Sequence, residues 1–207
     1  MDQAPRPTTI FLMRHGQTEH NASGRLMGHR DIPLDETGRA QAETAAALLA
    51  SRPLRAVYAS DLQRASCTAG VVASRLGLEL ILLPALREVD VGEWEGLTGA
   101  EIERNYPEVI AALEKDPFGT RRPGGESYGE MASRVWGALE EIATAHPGEE
   151  VLAVSHGGPL RAVICRVLGL PWAMRGKLMF RNCGILALIC EDGSYRFEIP
   201  GWAAGLG

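Results

Sequence analysis

Short apolar runs of strand length recur along this chain, and between them lie longer stretches whose apolar residues return every three or four positions. The runs are Ile10–Met13, Ala56–Ser60, Leu78–Leu83, Val151–Ser155 and Ile185–Cys190. Each has the length and continuity of a strand covered on both faces. A last short strand, Tyr195–Ile199, follows Asp192-Gly193, a pair that favours a tight hairpin. Asp35 is placed to cap a helix from Glu36 to about Ala50. Asp61 is placed to cap the next, in which Leu62, Ala65, Ala69, Val72, Ala73 and Leu76 share a face and Gly77 supplies the stop. Ser127 and Glu130 fit a capping box before a stripe of Met131, Val135, Leu139 and Ile142. Leu160, Val163, Ile164, Val167 and Leu168 form a further stripe ended by Gly169. Thr98 and Glu101 form another box, with Pro107 limiting its helix. Strands alternating with helices predict a layered α/β domain with mostly parallel central strands. The stretch from Trp94 to Gly125 lacks a clear strand and is expected to form a helical lobe or lid.

With 207 residues, 45% hydrophobic, the chain suffices for one domain over 1–207 with a full core. The composition excludes collagen-like, disordered and coiled-coil classes. A formal net charge of −5 argues against nucleic acid or an anionic membrane as partner. The longest apolar block, Gly184 to Cys190, is about a third of a membrane span. Met1–Thr9 is polar and Pro-rich, with no apolar core of a secretion signal. Cys67, Cys165, Cys183 and Cys190 show no C-x-x-C spacing, which suggests buried free thiols in a reducing, cytoplasmic setting.

Three polar sets stand directly after three of the strands. Arg14-His15-Gly16 follows the first. Ser60-Asp61, with Arg64 one helical step on, ends the second. His156-Gly157-Gly158 follows the fourth. In open α/β sheets ligands bind outside the carboxyl ends of strands, so two histidines and two arginines should converge there. Paired arginines match the oxygens of phosphate or carboxylate. Pro159, read as the first helical residue, would leave the Gly157 and Gly158 amides free to receive an anion. Together these features point to phosphoryl transfer.

The chain resembles the histidine phosphatase superfamily, the phosphoglycerate-mutase-like proteins. The resemblance is carried in order by the segment Phe11 to Asn21, then Pro33 to Gly38, Ser60 to Ala65, Leu86-Arg87-Glu88 with Gly92 to Gly96, Pro123 to Ser127, and Ser155 to Gly158. It implies a three-layer α/β/α sandwich and a covalent phosphohistidine mechanism. His15 would be the nucleophile, its other ring nitrogen donating to a backbone carbonyl. Arg14, Arg64 and His156, aided by Asn21 and the Gly157 amide, would clamp the phosphoryl oxygens. Glu88, partly desolvated, would protonate the leaving oxygen and then deprotonate water. His20, Met27, Trp94, Arg121 and Arg122 are candidate substrate contacts. Trp94 would supply apolar cover, and Met27 stands where many relatives carry glutamine.

The block from Glu88 to Gly96 resembles the phosphatase branch, and the lobe before Gly125 is short for a mutase. Arg121-Arg122, however, stands where mutases bind the glycerate carboxylate. The expectation is a phosphomonoester hydrolase for a small phosphorylated metabolite, monomeric or homodimeric, needing no cofactor or metal. A 2,3-bisphosphoglycerate-dependent mutase is the first alternative and a catalytically silent binding module the second. Asp90 and Glu93 compete with Glu88 as the acid. His29 lies in the loop after the nucleophile, and His146 at a helix end, where it would meet the helix dipole. The P-loop pattern, zinc-ligand spacings and the G-x-S-x-G elbow are all missing from the sequence. Cys190 and Arg196 match the C-x5-R spacing of cysteine phosphatases but straddle the expected hairpin.

Overall fold

The computed structural model describes residues 6–198. Its six-stranded sheet has the order β3-β2-β4-β1-β5-β6. The strands are β1 (Thr8–Arg14), β2 (Leu54–Ala59), β3 (Leu80–Leu82), β4 (Glu150–Ser155), β5 (Ile185–Glu191) and β6 (Ser194–Glu198). The first four in that order run parallel, and β5 and β6 are antiparallel additions.

Side chains of a strand alternate between faces, and the core divides accordingly. Ile10, Leu12, Val151 and Ala153 face helices α6 (Tyr128–Ala145) and α7 (Gly157–Val167). Phe11, Met13, Leu152 and Val154 face α2 (Glu36–Leu49) and α3 (Gln63–Leu76). Helices on both faces of a mostly parallel sheet make the expected three-layer sandwich. The stretch after Trp94 carries α4 (Gly99–Asn105) and α5 (Pro107–Lys115), with Ile102 and Trp94 buried beneath them.

The capping boxes at Thr98/Glu101 and Ser127/Glu130 both form, and Asp35 caps α2 through the Gly38 amide at 2.7 Å. A third box, Thr18/Asn21, opens the five-residue α1 (Glu19–Ser23) and was not foreseen. Asp61 does not cap α3. The N-cap is Leu62, without a side-chain bond, because the Asp61 carboxylate is drawn into an ion pair with Arg87. Leu168 leaves its stripe: α7 ends one residue earlier and the side chain is 56% exposed. The third strand shrinks to the sheet edge, where Ile81 and Leu82 face solvent rather than a core. Cys190 and Arg196 sit on the paired strands of the β5–β6 hairpin, so they form no phosphate loop. Ile199 lies outside the described residues.

Candidate active site

The pairing register brings the two histidines together. Arg14 is the partner of Ser155 in the β1–β4 ladder, so His15 and His156 leave adjacent strands at the same level. Their ring centroids are 5.1 Å apart, and both residues are buried. On the other side of β4, Ala59 pairs with Val154, which starts α3 beside them and sets Arg64 in its first turn.

His15 Nδ1 lies 2.7 Å from the Gly16 carbonyl. A carbonyl only accepts, so Nδ1 carries the proton and Nε2 keeps a free lone pair. Burial, then the charges of Arg64 and Arg14, hold the His15 pKa well below its ordinary 6.5. The ring is therefore neutral at pH 7. His156 accepts at Nδ1 from Arg64 Nε at 3.2 Å. A guanidinium only donates, so the neutral His156 ring carries its proton on Nε2. Burial first, then Arg64, depress its pKa as well.

Two buried donors at this point, His156 Nε2 and Arg14 Nε, have no hydrogen-bond partner among the described residues. A buried unpaired donor costs about 1–3 kcal/mol, so the cluster is built to receive acceptor oxygens. Arg64 adds charge. It is fully buried and held by the Arg30 and Gly28 carbonyls at 2.9 and 2.8 Å rather than by a carboxylate. Desolvation lowers its pKa to about 10, so it stays protonated at neutral pH.

Asn21 accepts at Oδ1 from the Thr18 amide and from Asn182 Nδ2, which leaves its own Nδ2 as a donor. Helix α7 begins at Gly157, and Pro159 is its third residue rather than its first. The Gly158 amide is consequently not free: it donates to Glu88 Oε2 at 3.1 Å, while the Val89 amide donates to Oε1 at 2.8 Å. A Cβ at position 158 would sit 2.2 Å from Glu88 Oε1, so glycine lets the carboxylate lie against the start of α7. Half-buried Glu88 lines a cavity of about 190 Å³ with Met27, Tyr128, Gly158 and Arg161.

Of the other sequence candidates, Met27 lines this cavity and most of the rest fall elsewhere. Asp90 Oδ1 caps the Gly92 amide, and Glu93 accepts from Tyr106. Trp94 packs on Tyr106 at 6.0 Å in the core and does not line the Glu88 cavity. Arg121 turns outward to Glu130 at 3.2 Å and to the Gly125 carbonyl. Arg122 is buried, its guanidinium 3.7 Å from the Tyr128 ring centre and bonded to the Glu126 carbonyl. Met27 Sδ accepts from Thr18, and half-buried His20 has no partner at Nδ1 among the described residues. His29 Nε2 donates to the Glu88 carbonyl at 2.9 Å. His146 caps the end of α6 and pairs with Glu149 and Tyr58.

Sequence reasoning missed the residues that hold this cluster in place. Thr68 Oγ1 accepts from the Gly16 amide and donates to the Arg64 carbonyl, tying the His15 loop to α3. Asn182 Nδ2 donates to the His15 carbonyl. Arg134, on α6, donates to the carbonyls of Ala85, Arg87 and Glu88 at 2.8, 2.8 and 2.7 Å. It also forks onto Glu126, whose Oε1 accepts the Asp90 amide.

A model of the histidine phosphatase superfamily (branch 1) matches residues 10–202. The chain belongs to the histidine phosphatase superfamily. It is 40% identical over 185 residues to a metal-independent phosphoserine phosphatase of Arabidopsis thaliana, covering 87% of this chain and 76% of the relative. It is 39% identical to a probable phosphoglycerate mutase, GpmB, of Photorhabdus laumondii, covering 85% and 82%. A mycobacterial glucosyl-3-phosphoglycerate phosphatase solved with VO3 superposes with TM-score 0.78 at 33% identity, covering 92% and 97%. Two of these three relatives carry phosphatase names, which supports a phosphatase role.

Proposed function

We propose that the chain is a metal-independent phosphomonoester hydrolase that acts through a phosphohistidine on a small phosphorylated metabolite. The observation that carries this reading is the neutral His15, its tautomer fixed by the Gly16 carbonyl and its Nε2 lone pair beside unpaired anion donors. In the first step Nε2 attacks phosphorus and the P–O ester bond breaks. A proton on the Glu88 carboxyl passes to the departing alkoxide. In the second step the Glu88 carboxylate takes a proton from water, whose oxygen bonds phosphorus as the P–N bond breaks. Phosphate leaves and Glu88 is reprotonated.

Arg14, Arg64, His156, the Asn21 amide and the Gly157 N–H would hold the phosphoryl oxygens. Preorganised donors of this kind contribute about 3–4 kcal/mol each to the transition state. On the same reading the enzyme is cytoplasmic, a monomer or homodimer, with no nucleic-acid or membrane partner. The net charge of −5 and four free cysteines support this, and no helix among the described residues is long and apolar enough to cross a membrane.

The test is turnover of p-nitrophenyl phosphate by wild type and His15→Ala, with and without chelator. Turnover should be chelator-insensitive and should vanish in the variant. Turnover retained without His15, or lost with chelator, contradicts the mechanism. Fast interconversion of 3- and 2-phosphoglycerate with 2,3-bisphosphoglycerate present would favour the mutase instead, and no turnover at all a silent binding module.

A further inference from the structure

The cradle and Glu88 account for the phosphoryl group and the ester oxygen, and leave the rest of the substrate unspecified. The arginine pair that the sequence offered for an acidic group is spent elsewhere, Arg121 on Glu130 and Arg122 on Tyr128. A different pair is uncommitted. Arg161, on α7, uses Nε on the Leu178 carbonyl at 3.0 Å, and its terminal nitrogens have no hydrogen-bond partner among the described residues. The Arg181 guanidinium makes no hydrogen bond or ion pair among the described residues.

Both arginines open on a second cavity of about 630 Å³, lined also by Arg14, Gln41, Asn182 and Thr37, with no Asp or Glu in its wall. Three arginines around an acid-free cavity, in a chain of 26 acidic and 21 basic residues, concentrate positive potential at one place. The cavity adjoins the site, because Arg161 lines it and the Glu88 cavity alike. Arg161 Nη1 and Arg14 Nε come within 3.4 and 3.8 Å of the point a Gly157 Cβ would occupy. A group bound by Arg161 is therefore next to the phosphoryl cradle, within reach of a small substrate.

We infer that the substrate's leaving group carries a second anion, a carboxylate or a second phosphate, and that Arg161 and Arg181 receive it at the mouth of this cavity. Guanidinium forks suit both groups, and each charge-assisted bond favours the anionic ester over a neutral one. The inference rests on the phosphomonoesterase reading above.

The test compares kcat/KM for 3-phosphoglycerate, glycerol 3-phosphate and 1,3-propanediol bisphosphate in wild type, Arg181→Gln and Arg161→Gln. Binding of the same three esters to His15→Ala is measured by calorimetry. Wild type should prefer one of the anionic esters to glycerol 3-phosphate by about 10-fold or more, and whichever it prefers identifies the group. Each substitution should reduce that preference about 10-fold, chiefly through KM. His15→Ala should bind the esters in the same order. Equal kcat/KM for neutral and anionic esters overturns the inference, as do variants that weaken all three alike. If neither these esters nor p-nitrophenyl phosphate turns over, the hydrolase reading fails separately. The calorimetric order then decides the inference: a preference for an anionic ester supports it, and no preference removes it.

Discussion

Replacing Arg134 with methionine perturbs the Glu88 loop without touching any group placed against the phosphoryl oxygens. Arg134 spends its donors on three carbonyls of one short segment, 85–88, and on the Glu126 carboxylate that holds the next amide, Asp90. Methionine fills much of the same volume and removes all of these bonds. Glu126, with its side chain 15% exposed, would be left without its cation. Breaking a buried pair from one side costs about 3–5 kcal/mol. Arg134 is 24% exposed, so water recovers part of this, and about 3 kcal/mol is the expected loss of stability. Lysine keeps the charge but not the planar fork, and should recover only about 1 kcal/mol. The released segment carries Glu88, and a displacement of about 1 Å at a proton-transfer group costs about 100-fold in kcat. Urea unfolding gives the stability. Steady-state kinetics across pH, under conditions where the variant remains folded, give kcat and its pH profile. A loss under about 1 kcal/mol with kcat and pH profile unchanged would refute the reasoning.

The remaining predictions concern pH and packing. His15 and His156 have folded pKa values depressed below 6.5, so the unfolded chain takes up protons first as pH falls. Stability should then decline below about pH 6.5, by up to about 1.4 kcal/mol per pH unit per histidine, until the folded pKa is reached. His15→Gln should flatten that slope relative to wild type in urea titrations at several pH values, and an identical slope would contradict it. Gly38→Ala would place a Cβ 2.1 Å from the Gln17 carbonyl, where the nucleophile loop rests on the start of α2. It should cost about 2–3 kcal/mol by thermal or urea unfolding, and near-wild-type stability would show that the loop moves freely aside.

The part of the site that sequence displayed is the part set by parallel strands. His15 and His156 each follow a strand directly and Arg64 opens the helix after another, and the β1–β4–β2 register brings the three together. Asn182 was hidden because β5 is antiparallel: its beginning, not its end, lies at the carboxyl end of β1. Arg134 was hidden in the middle of an amphipathic helix, where an arginine ordinarily faces water. Its carbonyl partners follow from how residues 85–88 cross α6, and no local pattern specifies that crossing. Asp61 was misplaced for a related reason. Its capping position named one use, while Arg87, brought near only by the tertiary fold, supplied another.

The central claim is a phosphoryl group carried on His15 Nε2. Rapid quench of the enzyme with a 32P-labelled phosphomonoester, followed by peptide mapping, tests it directly. A base-stable, acid-labile label on the peptide containing His15, formed at least as fast as turnover and missing from His15→Ala, is the expected result. Turnover by wild type with no such label, or with the label on another residue, would contradict it.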